Sequence, residues 1–548
     1  MDTSRRIISA RGVFLFAVVA WSLRLTVAAS VVLVSGLLLW AHPNATALRS
    51  ACLIAPPALQ AVSTDPIVQL GLNLFRDDQR AKTLVPLTTA TTSLCQVALQ
   101  YLAVQERTSE QSKLEDEGIS RVNGALDQAF EGLRVADKQL RRDASKPQRE
   151  FAPYEFLASG LELLLAHEND LRVASALHLH MLTLQGTEKW FVGFQNLSEA
   201  RATGGILGNY AVLALSSDGV EIVEIGSNTD LFSLGLAEID ESLWSHFQVL
   251  GADPTDWRDI NSYPDQVAVS RSIHNSIESV TDHEIAGVVL MGQGVVSRLI
   301  ALSGGTVFDG REISADEAFD LLTGAIYAIE SDRTLRLGLL ESLIKESFTR
   351  LSKGDFSPRV AFEYAQNARD SDHLLAWSEN ASLQQLLGGT TGLSSNLHIS
   401  LNNVGANKLD RFTEIEVKNC YASNASGRQV RLQIDINNLA PKFGLPEHVA
   451  PMYKDSEGRA IVVGTSRVQL LITVPEDWLI EDFYSSSSLQ GFPMLQSPGR
   501  VTYVFETEIL PGAKVSHSIV FAGLDYAESP VLEYSPLLNR PSIVRICE

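Results

Sequence analysis

From Leu25 to Ala41 the chain runs for seventeen residues without a charged side chain, and four arginines, Arg5, Arg6, Arg11 and Arg24, stand before it. As a helix this run rises about 25 Å against a hydrocarbon core of roughly 30 Å, so it is read as a membrane span. It is slightly short unless Leu23 and Arg24 join it with the guanidinium snorkelling to the interface. Trp21 and Trp40 suit the two interfaces, and four arginines against Asp2 alone place residues 1–24 in the cytoplasm. The remainder is then expected outside a single-pass plasma-membrane anchor, in the extracellular or periplasmic space. A second apolar patch, Val13 to Leu23, is too short to span and suits an interfacial helix. The competing reading is a cleavable signal peptide, because Ala45-Thr46-Ala47 has the small-residue spacing of a cleavage site.

The formal charge is −21, and residues 1–24 contribute +3, which leaves −24 on the part expected outside. A surface this acidic repels nucleic acid and behaves as a well-hydrated ectodomain. The four cysteines, Cys52, Cys95, Cys420 and Cys547, fall two near the start and two in the last third. An exported chain keeps disulfides, so two bridges are expected; pairing sequence neighbours gives Cys52 to Cys95 and Cys420 to Cys547, and the sequence leaves all three connectivities of four cysteines open.

About 500 residues beyond the membrane exceed one core, so an α+β multidomain chain is expected. Residues 42–188 read as helical. Ile119, Val122, Leu126, Ala129, Leu133, Ala136 and Leu140 step by three and four, a coiled-coil seam, and Leu94, Val97, Tyr101 and Val104 repeat the spacing upstream. An intramolecular helical hairpin or small bundle is one outcome and a dimeric coiled coil the other. Residues 189–393 alternate strand and helix signals and are read as an α/β core. Strands are expected at Trp190–Gln195, Tyr210–Leu215, Val220–Ile225, Ile285–Met291 and His373–Trp377. Helices are expected after Pro264 through Ile277 and at Ala315–Ile329, Thr334–Leu351 and Arg359–Ala368. Residues 394–548 become short alternating segments punctuated by Asn437-Asn438, Pro441, Pro446, Gly458, Pro475, Gly499 and Pro511-Gly512, the texture of a β-sandwich.

Between the first two strands of the α/β core lies NLSEARATGGILGNY, Asn196 to Tyr210, which reads as a loop. Glu199 and Arg201 flank a turn with Thr203, Gly204 and Gly205, where backbone N–H groups can cradle an anion and Arg can clamp it. With Asn196, Asn261 and Asp265 these residues form the candidate ligand site for a phosphate or a sugar. The bland alternative is that Glu199 and Arg201 pair with each other or with Asp265 and hold the loop, the glycines serving the turn.

This stretch resembles the signature of the domain of unknown function 4012 family, exported and membrane-anchored bacterial proteins common in actinobacteria. The resemblance continues in NSYPDQVA at Asn261, Pro264 and Asp265, in Ile285 to Leu302 with Gly304-Gly305, and in Trp377-Ser378 with Gln384. It extends to NNVGANKLDRF from Asn402 to Phe412 and to NNLAP from Asn437 to Pro441 with Gly444-Leu445-Pro446. It implies an envelope protein without assigning a reaction. Family members carry acids on both sides of the strand that is Ile285–Met291 here, whereas this chain keeps Asp282 and Glu284 before it and Gly292 after it. A role needing acids at both ends therefore does not carry over. The architecture also distantly resembles envelope enzymes of the LytR, CpsA and Psr type, which are similar in using Arg and Asp against a lipid-linked pyrophosphate.

Gly292-Gln293-Gly294-Val295-Val296-Ser297, with Asp309 further on, approaches a dinucleotide fingerprint, but Ser297 replaces its last Gly or Ala and no cofactor is expected. His178 and His180, two apart on a helix, point to different faces, and no metal site is expected. The expected task is binding or organising extracellular polysaccharide. The alternatives are a phosphotransferase acting on lipid-linked glycopolymer and a structural envelope spacer.

Overall fold

The computed structural model describes residues 124, 126–135, 173, 176–177, 180–181, 184–216, 219–235, 237–239, 243–302, 306–308, 311–322, 342–343, 345, 373–387, 397–424, 427–454, 458–487, 492–524 and 532–545. The expected span at 25–41, the cleavage site, Cys52, Cys95, Cys547, His178, Asp309, the seam at 94–104 and the helix at 359–368 lie outside them. Among the described residues no helix is long and apolar enough to cross a membrane.

The chain divides into two compact units, residues 1–186 with 358–367 and residues 187–357 with 368–548. In the first, residues 126–135 form a helix that buries Leu126, Ala129, Phe130 and Leu133. Three of these are expected seam positions, and Phe130 widens the stripe beyond a two-position seam. Val173, Ala176 and His180 are buried at helical spacing, so His180 belongs to a packed face.

The second unit begins with β1 (Glu188–Arg201), β2 (Gly204–Ser216) and β3 (Gly219–Ser227), a meander of long antiparallel strands. After α1 (Asn228–Leu234), α2 (Trp244–Leu250) and α3 (Gln266–Val280) comes β4 (Gly287–Gly292), buried at every position and parallel to β1. Then follow α4 (Gln293–Leu302), the hairpin β5 (Thr306–Phe308) with β6 (Arg311–Ile313), α5 (Ala315–Asp320), β7 (Leu374–Ser378) and α6 (Ala381–Leu387). The first sheet has the order β3-β2-β1-β4-β7. Parallel β1 and β4 need a long crossover, and α1 to α3 supply one. Asp265 stops the chain from running straight into α3: its Oδ1 accepts from the N–H groups of Val267 at 2.9 Å and Ala268 at 3.1 Å, an N-cap.

From Leu397 the unit is β-rich, with ten further strands. They are β8 (Leu397–Asn403), β9 (Thr413–Asn424), β10 (Gly427–Asn438), β11 (Ser466–Pro475), β12 (Leu479–Ser485), β13 (Met494–Ser497), β14 (Arg500–Ile509), β15 (Lys514–Leu524), β16 (Leu532–Tyr534) and β17 (Ser542–Arg545). They build two five-stranded sheets, β12-β15-β10-β9-β17 and β13-β14-β11-β8-β16, each antiparallel but for one parallel edge strand. One apolar core lies between them, with Leu432, Ile434 and Phe521 from one sheet against Leu470, Ile472 and Phe505 from the other.

The second of these sheets is covered on both faces. Along β11, Val468, Leu470, Ile472 and Val474 enter the inter-sheet core, while Leu471 joins the core of the α/β part together with Leu495 and Val504. This explains why VQLLITV is buried at every position, Gln469 and Thr473 included, whereas β12, covered on one face, mixes exposed and half-buried residues. β1 links the cores from the other side: Phe191 lies in the α/β core and Ala200 in the inter-sheet core.

Gly287 tests how tightly the α/β sheet is filled. A Cβ there would lie 2.5 Å from the Trp190 ring and 2.6 Å from the Trp377 carbonyl oxygen. Gly287→Ala is expected to cost about 1–3 kcal/mol by overpacking, read as a lowered denaturation midpoint. An unchanged midpoint would mean that Trp190 is free to move aside.

Candidate functional site

The segment expected to be a loop is a β-hairpin. Arg201 pairs with Gly204 across a two-residue turn, Ala202-Thr203, so β1 and β2 run almost without interruption through the stretch read as irregular. The irregularity is a bulge: Asn196 faces Ile206 and the next matched pair is Ala200 with Gly205, which leaves Leu197, Ser198 and Glu199 displaced from the ladder. Both glycines are required. Gly204 has φ 137°, in the left-handed half of the map, and a Cβ on Gly205 would stand 2.3 Å from the Asn196 carbonyl group. The bulge is held from below by Gln293, whose Oε1 accepts from Leu197 N–H at 3.2 Å while its Nε2 donates to the Leu322 carbonyl at 2.7 Å. The Gly-Gln-Gly sequence after β4 thus positions the hairpin.

Arg201 lies at the end of β1, 5% exposed. Its Nε donates to the Arg258 carbonyl at 2.9 Å, and Nη1 donates to the carbonyls of Ala200 at 3.0 Å and Asn403 at 3.1 Å. Nη2 donates to Glu199 Oε1 at 3.2 Å and Asp259 Oδ1 at 3.4 Å. A guanidinium has five N–H groups, and here each has a protein acceptor. Lys408 Nζ reaches the other oxygen of Glu199 at 3.4 Å. The carboxylate partner anticipated at Asp265 is instead Asp259, since Asp265 is occupied as the cap of α3.

Asp410, in a short 3-10 turn at Leu409–Phe412, extends this cluster. Its Oδ2 accepts from Ala200 N–H at 2.7 Å and from Asn403 Nδ2 at 2.8 Å, while Oδ1 has no hydrogen-bond partner among the described residues. Burial first, and then the nearby Glu199 charge, push the Asp410 carboxyl up to about 7, against the pull of those hydrogen bonds and of Arg201. Burial likewise raises Asp259, with Arg201 opposing. Asn403 and Asn407 complete the turn, Asn403 Oδ1 accepting from Gly405 N–H at 2.9 Å.

The other expected site residues are placed around this joint. Asn261 Nδ2 donates to the Gly205 carbonyl at 2.7 Å and to Thr203 Oγ1 at 3.4 Å. Thr203 also receives Gln195 Nε2 at 3.3 Å, and His373 Nε2 lies 2.5 Å from Gln195 Oε1. The Asn196 side chain turns back to its own bulge, accepting from Ser198 N–H at 3.0 Å. The hairpin thus brings Glu199, Arg201, Thr203, Gly204, Gly205 and Asn261 together and leaves Asp265 and the Asn196 side chain with local duties.

Residues 185–327 match the sequence profile of a family described as protein of unknown function (DUF4012). That stretch belongs to the DUF4012 family. No curated protein and no solved structure matches the chain. The DUF4012 stretch contains the hairpin, α1 to α4 and β4, so Arg201 lies inside it while Asn403, Lys408 and Asp410 lie outside. Those residues were legible as part of NNVGANKLDRF, and the hint to their role is the density of Asn and Asp side chains in so short a turn.

A second polar chain crosses the helix side of the first sheet. Tyr210 OH donates to Glu224 Oε1, His283 Nε2 lies 2.9 Å from Glu224 Oε2, and Lys189 Nζ lies 3.2 Å from His283 Nδ1. An ammonium only donates, so this pattern assigns the imidazole proton to Nε2. Burial raises the Tyr210 hydroxyl, and the Glu224 bond adds to it. Burial would raise Glu224 too, but the Tyr210 and His283 hydrogen bonds outweigh it and hold the carboxyl down. Among the described residues no group of three or more His, Cys, Asp or Glu side chains is placed to hold a metal ion.

The folded-state value of Asp410 lies above its unfolded one, so the folded chain binds the extra proton. This contribution is complete below about pH 4 and is lost as pH rises toward about 7. Asp410→Asn keeps an acceptor for Ala200 and Asn403 and carries no charge. Its stability relative to wild type should therefore grow from pH 4 to 7 and level off above, in denaturant titrations at each pH. A flat difference across that range would refute the assignment.

Proposed function

We propose that this chain is a cell-envelope protein held by one N-terminal membrane helix, with its bulk outside, that binds or organises extracellular polysaccharide. The observation that weighs against chemistry at the hairpin is the complete use of the Arg201 guanidinium inside the protein. An arginine that clamps a pyrophosphate must turn N–H groups toward it, and here that would strip Glu199, Asp259 and the Asn403 carbonyl of partners in a buried place. This weighs against the phosphotransferase reading derived from the LytR, CpsA and Psr likeness.

The external placement is supported by chemistry. Cys420 is disulfide-bonded, and disulfides persist in oxidising compartments. β17 runs parallel to β9 with Arg545 beside Asn419, the residue before Cys420. We propose the partner expected from the sequence, Cys547.

Removing Arg201 tests the role. Arg201→Ala should cost about 3–5 kcal/mol of stability, because it leaves buried charges unpaired. Calorimetric heats with purified envelope polysaccharide should persist at temperatures where the variant is folded. A variant as stable as wild type that loses pyrophosphate-dependent glycopolymer transfer by orders of magnitude would instead establish the enzyme. No heat of binding in wild type would leave the spacer. For the compartment, alkaline phosphatase fused after residue 41 should be active in cells, and activity confined to a cytosolic reporter would reverse the topology.

A further inference from the structure

At one end of the β-rich part the chain turns large apolar side chains outward. Phe443 is 89% exposed and Met452 79%, and Leu439, Val462 and Leu510 are each more than half exposed. These five belong to three loops in mutual contact. Tyr453 C=O accepts from Ile461 N–H at 2.9 Å, which sets Met452 near Val462, and Gly512 N–H donates to the Asn438 carbonyl at 2.8 Å, which sets the Leu510 turn beside Leu439. Gly464 abuts Pro511 and Leu445, and Gly512 abuts Lys442.

The loops are not short of a core to fill. Leu409, Ala440, Val449 and Ala450 form a small cluster beneath them, with Phe412, Leu445 and Val463 packed against it. Inward and outward side chains are thus sorted within the same few residues. Asn438 fixes the arrangement: its Nδ2 donates to the carbonyls of Gly464 and Ile509, each at 2.8 Å, and its Oδ1 accepts from Ala440 N–H at 3.0 Å. An apolar surface held this firmly in water marks an interaction site.

The local charge leaves this patch open to a lipid surface. Over residues 439–462 three cations, Lys442, Lys454 and Arg459, balance Glu447, Asp455 and Glu457, a neutral stretch in a chain of −21. Lys442 adjoins Phe443 and Lys454 lies two residues past Met452, both exposed, so their ammonium groups can reach a phosphate layer while the apolar neighbours enter beneath it. A polysaccharide offers hydroxyls, for which Leu, Met and Val have no partner.

We propose that this end of the β-rich part docks on a lipid bilayer, with Phe443 and Met452 entering the interfacial region and the lysines meeting lipid phosphates. The inference rests on the membrane-anchor reading and adds a second, peripheral contact that would hold the β-rich part against the membrane that anchors the chain.

The test uses the full chain in phosphatidylcholine–phosphatidylglycerol vesicles, with an environment-sensitive dye on Phe443→Cys and, as control, on Tyr484→Cys, an exposed position on β12. Spin-labelled lipid should quench the dye at 443 several-fold more than at 484, and adding Met452→Asp should abolish the difference. Equal quenching at both sites overturns the docking. So does disulfide cross-linking of two unlabelled Phe443→Cys chains without lipid quenching of the labelled protein, which would assign the patch to a second copy. Flotation of the Met452→Asp chain, from which the docking is removed, reports the anchor separately. If the Met452→Asp chain floats while the dye at 443 in the parent is not quenched, the anchor stands and the docking falls; if the Met452→Asp chain does not float, the anchor falls, and quenching at 443 in the parent would still support the docking.

Discussion

A guanidinium taken out of water has to find an acceptor for each of its N–H groups, and that requirement at Arg201 organises the second unit. The five acceptors come from β1 itself, from the turn at Arg258 and Asp259 before α3, and from the end of β8. Three parts of the chain far apart in sequence must therefore be in place before the charge is satisfied. Asp410 adds a fourth constraint from the next turn by accepting the Ala200 N–H where β1 resumes its pairing after the bulge. A buried ion pair contributes little net stability compared with apolar packing, but losing one partner is costly, so such a joint tolerates one arrangement and penalises the rest.

The joint works because apolar packing brings the parts close on both sides of it. Leu471, Leu495 and Val504 carry the β-rich part into the α/β core, and Ala200 carries β1 into the inter-sheet core. Between these contacts lie backbone groups that a bulged strand and a turn leave unpaired, and a buried unpaired group costs more than the hydrogen bond it lacks would return. The side chains of Gln293, Asn261, Asn402 and Asn403 answer those groups one by one. Asn402 Nδ2 donates to the Ser262 carbonyl at 2.9 Å and Gln469 Nε2 to the Leu250 carbonyl at 2.9 Å, so the same device recurs along the contact.

Most strands could be read from the sequence because they are bounded by turn residues and obey simple patterns: β4, β8, β10, β11 and β14 lie where apolar runs or alternation put them. The start of α3 was legible too, from Pro264, although Asp265, which caps it, was read as a site residue. The hairpin was not. NLSEARATGG carries the polar and glycine content of a loop, and only the pairing of Arg201 with Gly204 across two residues turns that content into strand. Local composition reports the bulge, where three residues leave the ladder, and is blind to the register that resumes at Ala200. The acceptors of Arg201 were illegible for a similar reason. Three of the five are backbone carbonyls, which have no sequence signature, and the carboxylate at Asp259 differs from Asp265 only in where the turn before α3 places it.

This distinction bears on what the resemblance to a family of unknown function can mean. The matched residues 185–327 end before β8, yet the arginine within them needs the Asn403 carbonyl, and the N–H of Ala200 needs Asp410. Taken alone, the DUF4012 stretch would leave a buried donor and part of a buried charge without partners, and Ala200 without the core it enters. The physical unit is thus larger than the matched one. Glu199, Arg201, Gly204 and Gly205 are coherent as one half of a joint whose other half is the Asn- and Asp-rich turn after β8, and a spacing of about 200 residues between the halves hides their relation from any local reading.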